Sequence, residues 1–240
     1  MKLDILAFAA HPDDIELSCG GTIAKYTAQN KKVGIVDFTR GEMGTRGTPE
    51  IRLQEAQKSA EIFGLAVREN LNFKDIYFSN DLEHQVEVVR MIRKYRPDII
   101  LANSFEDRHP DHGKAANIVD AAVFLSGLLN IVTEENGVKQ DIWRPKATYH
   151  YIQSTMVEPD FIEDVSDFWD TKYEAIWAFG SQFTKPGSTP DGPQTFISSP
   201  EFLQMLDARG KVFGHSIGVK FGEGFVSKRK IGVSDIFSLI

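Results

Sequence analysis

Four strand-like runs, each followed by a segment of helical periodicity, limit most narrowly what the first half of this chain can fold into. Leu3–Ala9, Lys32–Thr39, Glu69–Phe73 and Asp98–Asn103 read as strands. Gly20–Asn30, Pro49–Gly64, Asp81–Tyr95 and His112–Leu129 read as helices. In the second helix Leu53, Ala56, Ala60 and Phe63 fall three and four apart, and Gly64 supplies a C-terminal stop. Leu3–Ala9 is nearly all apolar, as a strand buried on both faces requires. Such alternation predicts an α/β fold: a Rossmann-like, mostly parallel sheet with helices on both faces, followed by an elaborated C-terminal part.

The second half is less regular. Ala147–Gln153 reads as a strand, and Ser166–Phe179 and Glu201–Phe213 as helices. Thr184–Pro200 is rich in Pro, Gly, Ser and Thr, and has the length of a lid or binding loop. No repeat or linker divides the chain. One domain over residues 1–240 is expected, with a core of about 1–130 and an elaboration of about 140–240.

Charge and cysteine content narrow the function. A formal net charge of −7 implies no broad cationic surface, which argues against nucleic acid or an anionic membrane as partner. The lone Cys19 excludes a disulfide framework and any multi-cysteine zinc site. A metal would have to rest on His, Asp or Glu. Met1–Leu6 reads as the start of a strand and not as a signal peptide, and no apolar run is long enough to span a bilayer. A cytoplasmic protein is expected.

Two short segments carry the chemistry. His11-Pro12-Asp13-Asp14 leaves the first strand, and Asp107-Arg108-His109-Pro110-Asp111-His112 leaves the fourth. Either one alone could be a solvated loop whose Asp caps the next helix. Ligands of parallel α/β sheets bind outside the carboxyl ends of the strands, so both segments should open onto one edge. Three of the six histidines sit in these segments, which makes coincidence a poor account. Imidazole and carboxylate donors without thiolate suit Zn²⁺, Fe²⁺ or Mn²⁺. Bound Zn²⁺ lowers the pKa of its water from 15.7 to about 7, and a free carboxylate beside that water can act as general base. Paired aspartates could therefore divide into ligand and base. The residues alone do not say which is which.

Ala10-His11-Pro12-Asp13-Asp14, Gly20-Gly21-Thr22, Thr39–Gly44, Arg52 with Glu55, and Arg108–His112 together resemble the PIG-L/LmbE-like N-acetylglucosaminide deacetylases, in particular their bacillithiol-biosynthesis branch. The resemblance covers about residues 3–130 and continues more loosely through Trp143-Arg144-Pro145, Ser181-Gln182-Phe183 and Gly222–Phe225. It implies that His11, Asp14 and His112 hold the metal, usually zinc, and that Asp13 is the general base. It implies that a protonated His109 stabilises the oxyanion, with Asp111 orienting it. Arg52 and Arg144 are implied to lie at the substrate. Where some members place a tyrosine over the site, this chain has Phe196. The implied activity is removal of an acetyl group from a small N-acetylated amino sugar, with N-acetylglucosaminyl malate as substrate. Related enzymes form homo-oligomers, and the same is expected here.

Arg46 is a further candidate, able with Arg52 to bind an anionic aglycone. Glu42 follows the second strand on the same edge. Cys19 reads as a small core residue, and Gly20-Gly21 as a place of close helix–strand packing. Two other classes fit the same residues: a metal hydrolase of another amide or a phosphoester, and a non-catalytic sugar-binding protein.

Overall fold

Strand β1 (Ile5–Ala9) is buried along its whole length. Leu6 and Phe8 join one apolar cluster, while Ile5, Ala7 and Ala9 join another, as the two-residue period of a strand dictates. Both sheet faces are therefore covered. The computed structural model describes residues 1–185, 187 and 192–239.

The order continues with α1 (Asp14–Ala28), β2 (Val33–Thr39), α2 (Pro49–Phe63), β3 (Val67–Phe73), α3 (Leu82–Tyr95), β4 (Ile99–Ala102) and α4 (Pro110–Leu125). A small hairpin follows, β5 (Glu134–Glu135) and β6 (Val138–Lys139), then β7 (Ala147–Tyr151), β8 (Phe161–Asp164), α5 (Trp169–Ala178), α6 (Pro200–Ser216) and β9 (Gly222–Val226). The main sheet runs β3-β2-β1-β4-β7-β9-β8. Its first five strands are mutually parallel, and β9 is antiparallel to both neighbours. The mostly parallel α/β architecture is as expected. Helices α3 and α4 bury Val88, Val89, Ile92, Ala115, Ile118 and Val119 on one face. On the other, α1, α2 and α5 bury Ile15, Ile23, Phe63 and Ala175. From β1 the chain steps outward to β2 and β3, then returns to place β4 on the other side. The carboxyl ends of β1 and β4 thus flank a switch point, where such sheets leave a crevice.

Some expectations shift. Helix α1 begins at Asp14, not Gly20, and is broken at Cys19, whose φ of −133° and ψ of 25° are not helical. The Gly20-Gly21 pair that read as a helix start lies at that break. The packing it permits is with helices and a turn, not a strand: a Cβ on Gly20 would crowd Lys172 of α5 and Phe63 of α2, and one on Gly21 would crowd Val165. The break frees backbone groups, and the second half of the chain satisfies them. The Glu223 carboxylate in β9 accepts from Gly21 N–H at 3.0 Å, Thr22 N–H at 2.7 Å and the Thr22 hydroxyl at 2.7 Å. It also pairs with the buried Lys172 ammonium at 2.6 Å. On the other side of the break Arg209 Nη2 donates to the Leu17 carbonyl at 2.9 Å. Cys19 is fully buried, and burial pushes its thiol well above the ordinary range.

The segment read as a helix from Ser166 starts as a 3₁₀ turn, Ser166–Phe168, before α5. Strands β8 and β9 had no counterpart in the sequence reading. Within the loop read at Thr184–Pro200, residues 186 and 188–191 lie outside the described residues. Among the described residues no helix is long and apolar enough to cross a membrane.

Candidate metal centre and active site

Loops at the carboxyl ends of the parallel strands build the site. His11 to Asp13 follow β1, Asn103 to His109 follow β4, Asp75 follows β3 and Gln153 follows β7. His11, Asp13, Asp14, His109, His112 and Arg52 line one cavity of about 210 Å³.

Asp14 is its anchor. Its Oδ2 accepts from His11 N–H and from Asn103 Nδ2, each at 3.0 Å, and its Oδ1 from Gln153 Nε2 at 3.2 Å. His112 Nε2 stands 3.1 Å from Oδ1, and His11 Nδ1 stands 3.8 Å from Oδ2. Burial alone would raise the Asp14 carboxyl; the charge and hydrogen bond of His112, then His11, more than offset it and hold the group well below the usual carboxylate range.

Each imidazole is fixed from behind by another carboxylate. His112 Nδ1 lies 2.6 Å from Asp107 Oδ2, whose other oxygen accepts from Thr155 N–H at 2.7 Å. His11 Nε2 lies 3.0 Å from Asp75 Oδ1 and 3.4 Å from Asp111 Oδ2. Asp75 is itself held by the Met43 N–H, and its own N–H donates to Glu42. Burial disfavours charge on both rings, but the carboxylates prevail: His11 is raised to about 10 by Asp111, Asp75 and Asp14, and His112 to about 9 by Asp14 and Asp107. The remaining nitrogens, His11 Nδ1 and His112 Nε2, both turn toward Asp14. Ring nitrogens of His11, His109 and His112 also approach within 4.8 Å of one another, as do ligand atoms of His11, Asp75 and Asp111.

Asp13 stands apart from this array. It occupies the N-cap of α1 with φ 110° and ψ −20°, a conformation that non-glycine residues adopt only at a cost. Its Oδ2 pairs with Arg52 Nη2 at 2.9 Å, and Arg52 also donates to the Pro12 carbonyl. Burial pushes the Asp13 carboxyl up to about 7, against the pull of Arg52 and with the push of Asp14. Gly41 makes room for that arginine: it has φ +65°, and a Cβ there would overlap the Arg52 guanidinium.

Some expected roles change. His109 was expected protonated, with Asp111 orienting it. Burial, then the charges of His11 and His112, lower its pKa instead, so the neutral ring is favoured. The Asp111 carboxylate faces Lys114 at 2.6 Å, the Ile76 N–H at 3.0 Å and His11. Asp111 reaches His109 through its backbone N–H, which donates to Nδ1 at 3.3 Å and leaves the proton of the neutral ring on Nε2. Arg52, expected against the sugar, lines the cavity but is turned onto Asp13. Arg144 is not in the cavity. It precedes β7, packs against Gly127 beyond α4 and donates to the Gly127 carbonyl at 3.4 Å. That is the amino edge of the sheet, opposite the site, because β7 runs parallel to β4. Arg46 lines a neighbouring cavity. Thr195, Phe196 and Ile197 from the late loop do wall the catalytic cavity, and the Arg108 guanidinium lies 4.1 Å from the Phe196 ring centre.

Asp75, Asn103 and Gln153 went unnoticed in the sequence, and Asp107 was seen without a role. Applying the strand-end rule to β3 and β7 as well as to β1 and β4 would have found Asp75 and Gln153.

A sequence profile of the PIG-L family, described as GlcNAc-PI de-N-acetylase, matches residues 6–123. The chain is 33% identical to diacetylchitobiose deacetylase of Thermococcus kodakarensis over 75% of this chain and 70% of that one. It is 28% identical to a probable N-acetyl-α-D-glucosaminyl L-malate deacetylase 2 of Bacillus cereus, over 76% and 84%. It is also 25% identical to 4-oxalmesaconate hydratase of Pseudomonas putida, over 74% and 73%. Among solved structures, a conserved protein of Thermus thermophilus superposes with a TM-score of 0.85 at 34% identity, over 97% of this chain and 98% of that one. The chain belongs to the PIG-L family of de-N-acetylases.

Proposed function

We propose that the chain is a metal-dependent amidohydrolase that removes the acetyl group from an N-acetylglucosaminide. One observation carries the reading. Two imidazole nitrogens, His11 Nδ1 and His112 Nε2, converge on the Asp14 carboxylate, while a second carboxylate, Asp13, stands beside them, paired among the described residues with Arg52 alone.

The donor set fits a catalytic cation. Two imidazoles and one carboxylate leave coordination positions for water and substrate. Each imidazole has its rear nitrogen on a carboxylate, the outer arrangement that fixes ligand orientation and basicity. His11, Asp14 and His112 would hold the metal. Zinc is our reading; the same donors suit Fe²⁺. When bound, the cation supplies Lewis-acid polarisation of the acetyl carbonyl and a water of lowered pKa.

The remaining work falls to the protein. Asp13, poised near neutrality, takes a proton from the attacking water. The Nε2–H of neutral His109 donates to the carbonyl oxygen as it gains charge. Asp13 then returns its proton to the leaving nitrogen, giving acetate and the free amino sugar. Arg52 holds the Asp13 carboxylate in place. Asp111 acts on His11 through its carboxylate and on His109 through its N–H.

For the substrate we infer N-acetylglucosaminyl malate, the bacillithiol precursor. The likeness to the B. cereus malate deacetylase supports it.

Acetate release from N-acetylglucosaminyl malate and N,N'-diacetylchitobiose, with 4-oxalmesaconate hydration as control, tests the reading. Asp13→Asn should keep the metal and lose turnover by about 10²-fold or more. Wild-type turnover in that variant, or hydration without acetate release, rejects it.

A further inference from the structure

Arg46 is 6% exposed, yet its guanidinium has no hydrogen bond or ion pair among the described residues. Its one contact of that kind is at the backbone, where the Arg46 carbonyl accepts from Gln182 Nε2 at 2.7 Å. A guanidinium with no acceptor among the described residues is available to an anion from outside the chain.

The residue lines a second cavity of about 630 Å³. Trp177 and Tyr173 of α5, with ring centres 5.9 Å apart, and Leu203 of α6 give it an apolar side. Its carboxylate, Asp207, is already engaged by Trp169 Nε1 at 3.2 Å and Lys211 at 2.5 Å. Among the described residues the other charged residue on its rim is Lys185. Among the described residues the uncommitted charge is therefore positive.

This cavity and the catalytic one are lined by adjacent residues of the same segments. Thr45 lines the first and Arg46 the second; Thr195 to Ile197 line the first and Gln194 and Ser198 the second. Gln182 lines the catalytic cavity while gripping the Arg46 backbone.

We propose that the second cavity is a distal substrate subsite for an anionic group on an apolar or ring-shaped body, with Arg46 as its charge partner and Trp177 and Tyr173 as its platform. Guanidinium forks suit carboxylates and phosphate esters, and aromatic faces suit rings. The assignment rests on the deacetylase reading for the reacting end of the substrate, but not for the anion.

The test compares phenyl and 4-carboxyphenyl N-acetyl-β-D-glucosaminide, with a parallel benzoate titration followed by tryptophan fluorescence. The wild-type protein should favour the carboxylated glycoside in KM. Arg46→Met should shrink that preference about tenfold, and Arg46→Lys should retain part of it. Benzoate should bind more weakly to Arg46→Met than to the wild-type protein. An unchanged glycoside preference in Arg46→Met overturns the subsite, and so does equal benzoate binding by the two proteins. Weakened benzoate binding with an unmoved preference assigns the cavity to a free anion and equally overturns it. If neither glycoside releases acetate, the deacetylase reading fails, while the benzoate titration still decides the anion site.

Discussion

Arg52 Nη2 lies 2.9 Å from Asp13 Oδ2, so the candidate base shares its burial with a positive charge. The arginine favours the ionised carboxylate against burial. Removing it, as in Arg52→Met, should raise the Asp13 pKa from about 7 and move the acid limb of the rate–pH profile to higher pH. Activity lost at pH 7 should partly return at pH 9. An acid limb that stays in place would separate Arg52 from Asp13.

Gly41 holds the floor of that pair. Gly41→Ala adds a Cβ at φ +65° where the guanidinium lies. A loss of about 1–3 kcal/mol in stability is expected, with a larger fall in kcat than the stability loss explains. Chemical denaturation and acetate release check the two parts separately.

Asp107 offers no ligand of its own, yet it sets the orientation of the His112 ring from 2.6 Å. Asp107→Asn should lower metal affinity about 10- to 100-fold without removing a ligand. Competition with a chromophoric chelator measures it. An unchanged affinity would mean that the ring is oriented by Asp14 and Gln153 alone.

Metal and protons compete at His11 and His112. In the metal-free protein these groups are raised to about 10 and about 9, above their unfolded value of 6.5. A raised histidine contributes stability that is fully present below the unfolded pKa and is lost as pH rises through the folded one. Metal-free protein should therefore lose stability between pH 7 and 10. Metal binding, which needs the neutral rings, should release protons and tighten over the same range. Calorimetry in buffers of different ionisation enthalpy counts those protons, and no release below pH 8 would contradict the assignment.

Glu223 and Lys172 form a buried pair at 2.6 Å, 51 positions apart. Glu223→Gln should cost about 3–5 kcal/mol by stranding the ammonium. Adding Lys172→Met should recover part of the loss, as denaturation midpoints would show.

The parallel half of the fold was legible because β1 and β2 are buried along their whole length and α2, α3 and α4 keep their period. Strand β9 was not. Its Gly222-Glu223-Gly224 lacks the β-branched residues that mark strands, and the glycines are there because a Cβ on Gly222 would strike Ile162 and the Gly214 backbone. The start of α1 was obscured by the Gly20-Gly21 pair at its break. At the site, clustered His and Asp residues were readable from their spacing, whereas Asp75 is a lone aspartate whose partner lies 64 positions away. Arg144 misled because Trp143-Arg144-Pro145 precedes a strand, and in a parallel sheet that places it at the edge away from the chemistry.

The break in α1 orders events during synthesis. Asp13 and Asp14 emerge from the ribosome early, but the turn that carries them ends at Cys19, and among the described residues the backbone groups freed there find side-chain partners in Arg209 and Glu223. A nascent chain that has not yet reached β9 can form its first four strands while Gly21 and Thr22 still lack their acceptor. The first carboxylates to be made therefore stand on a helix whose break is braced only once the last strand is in place.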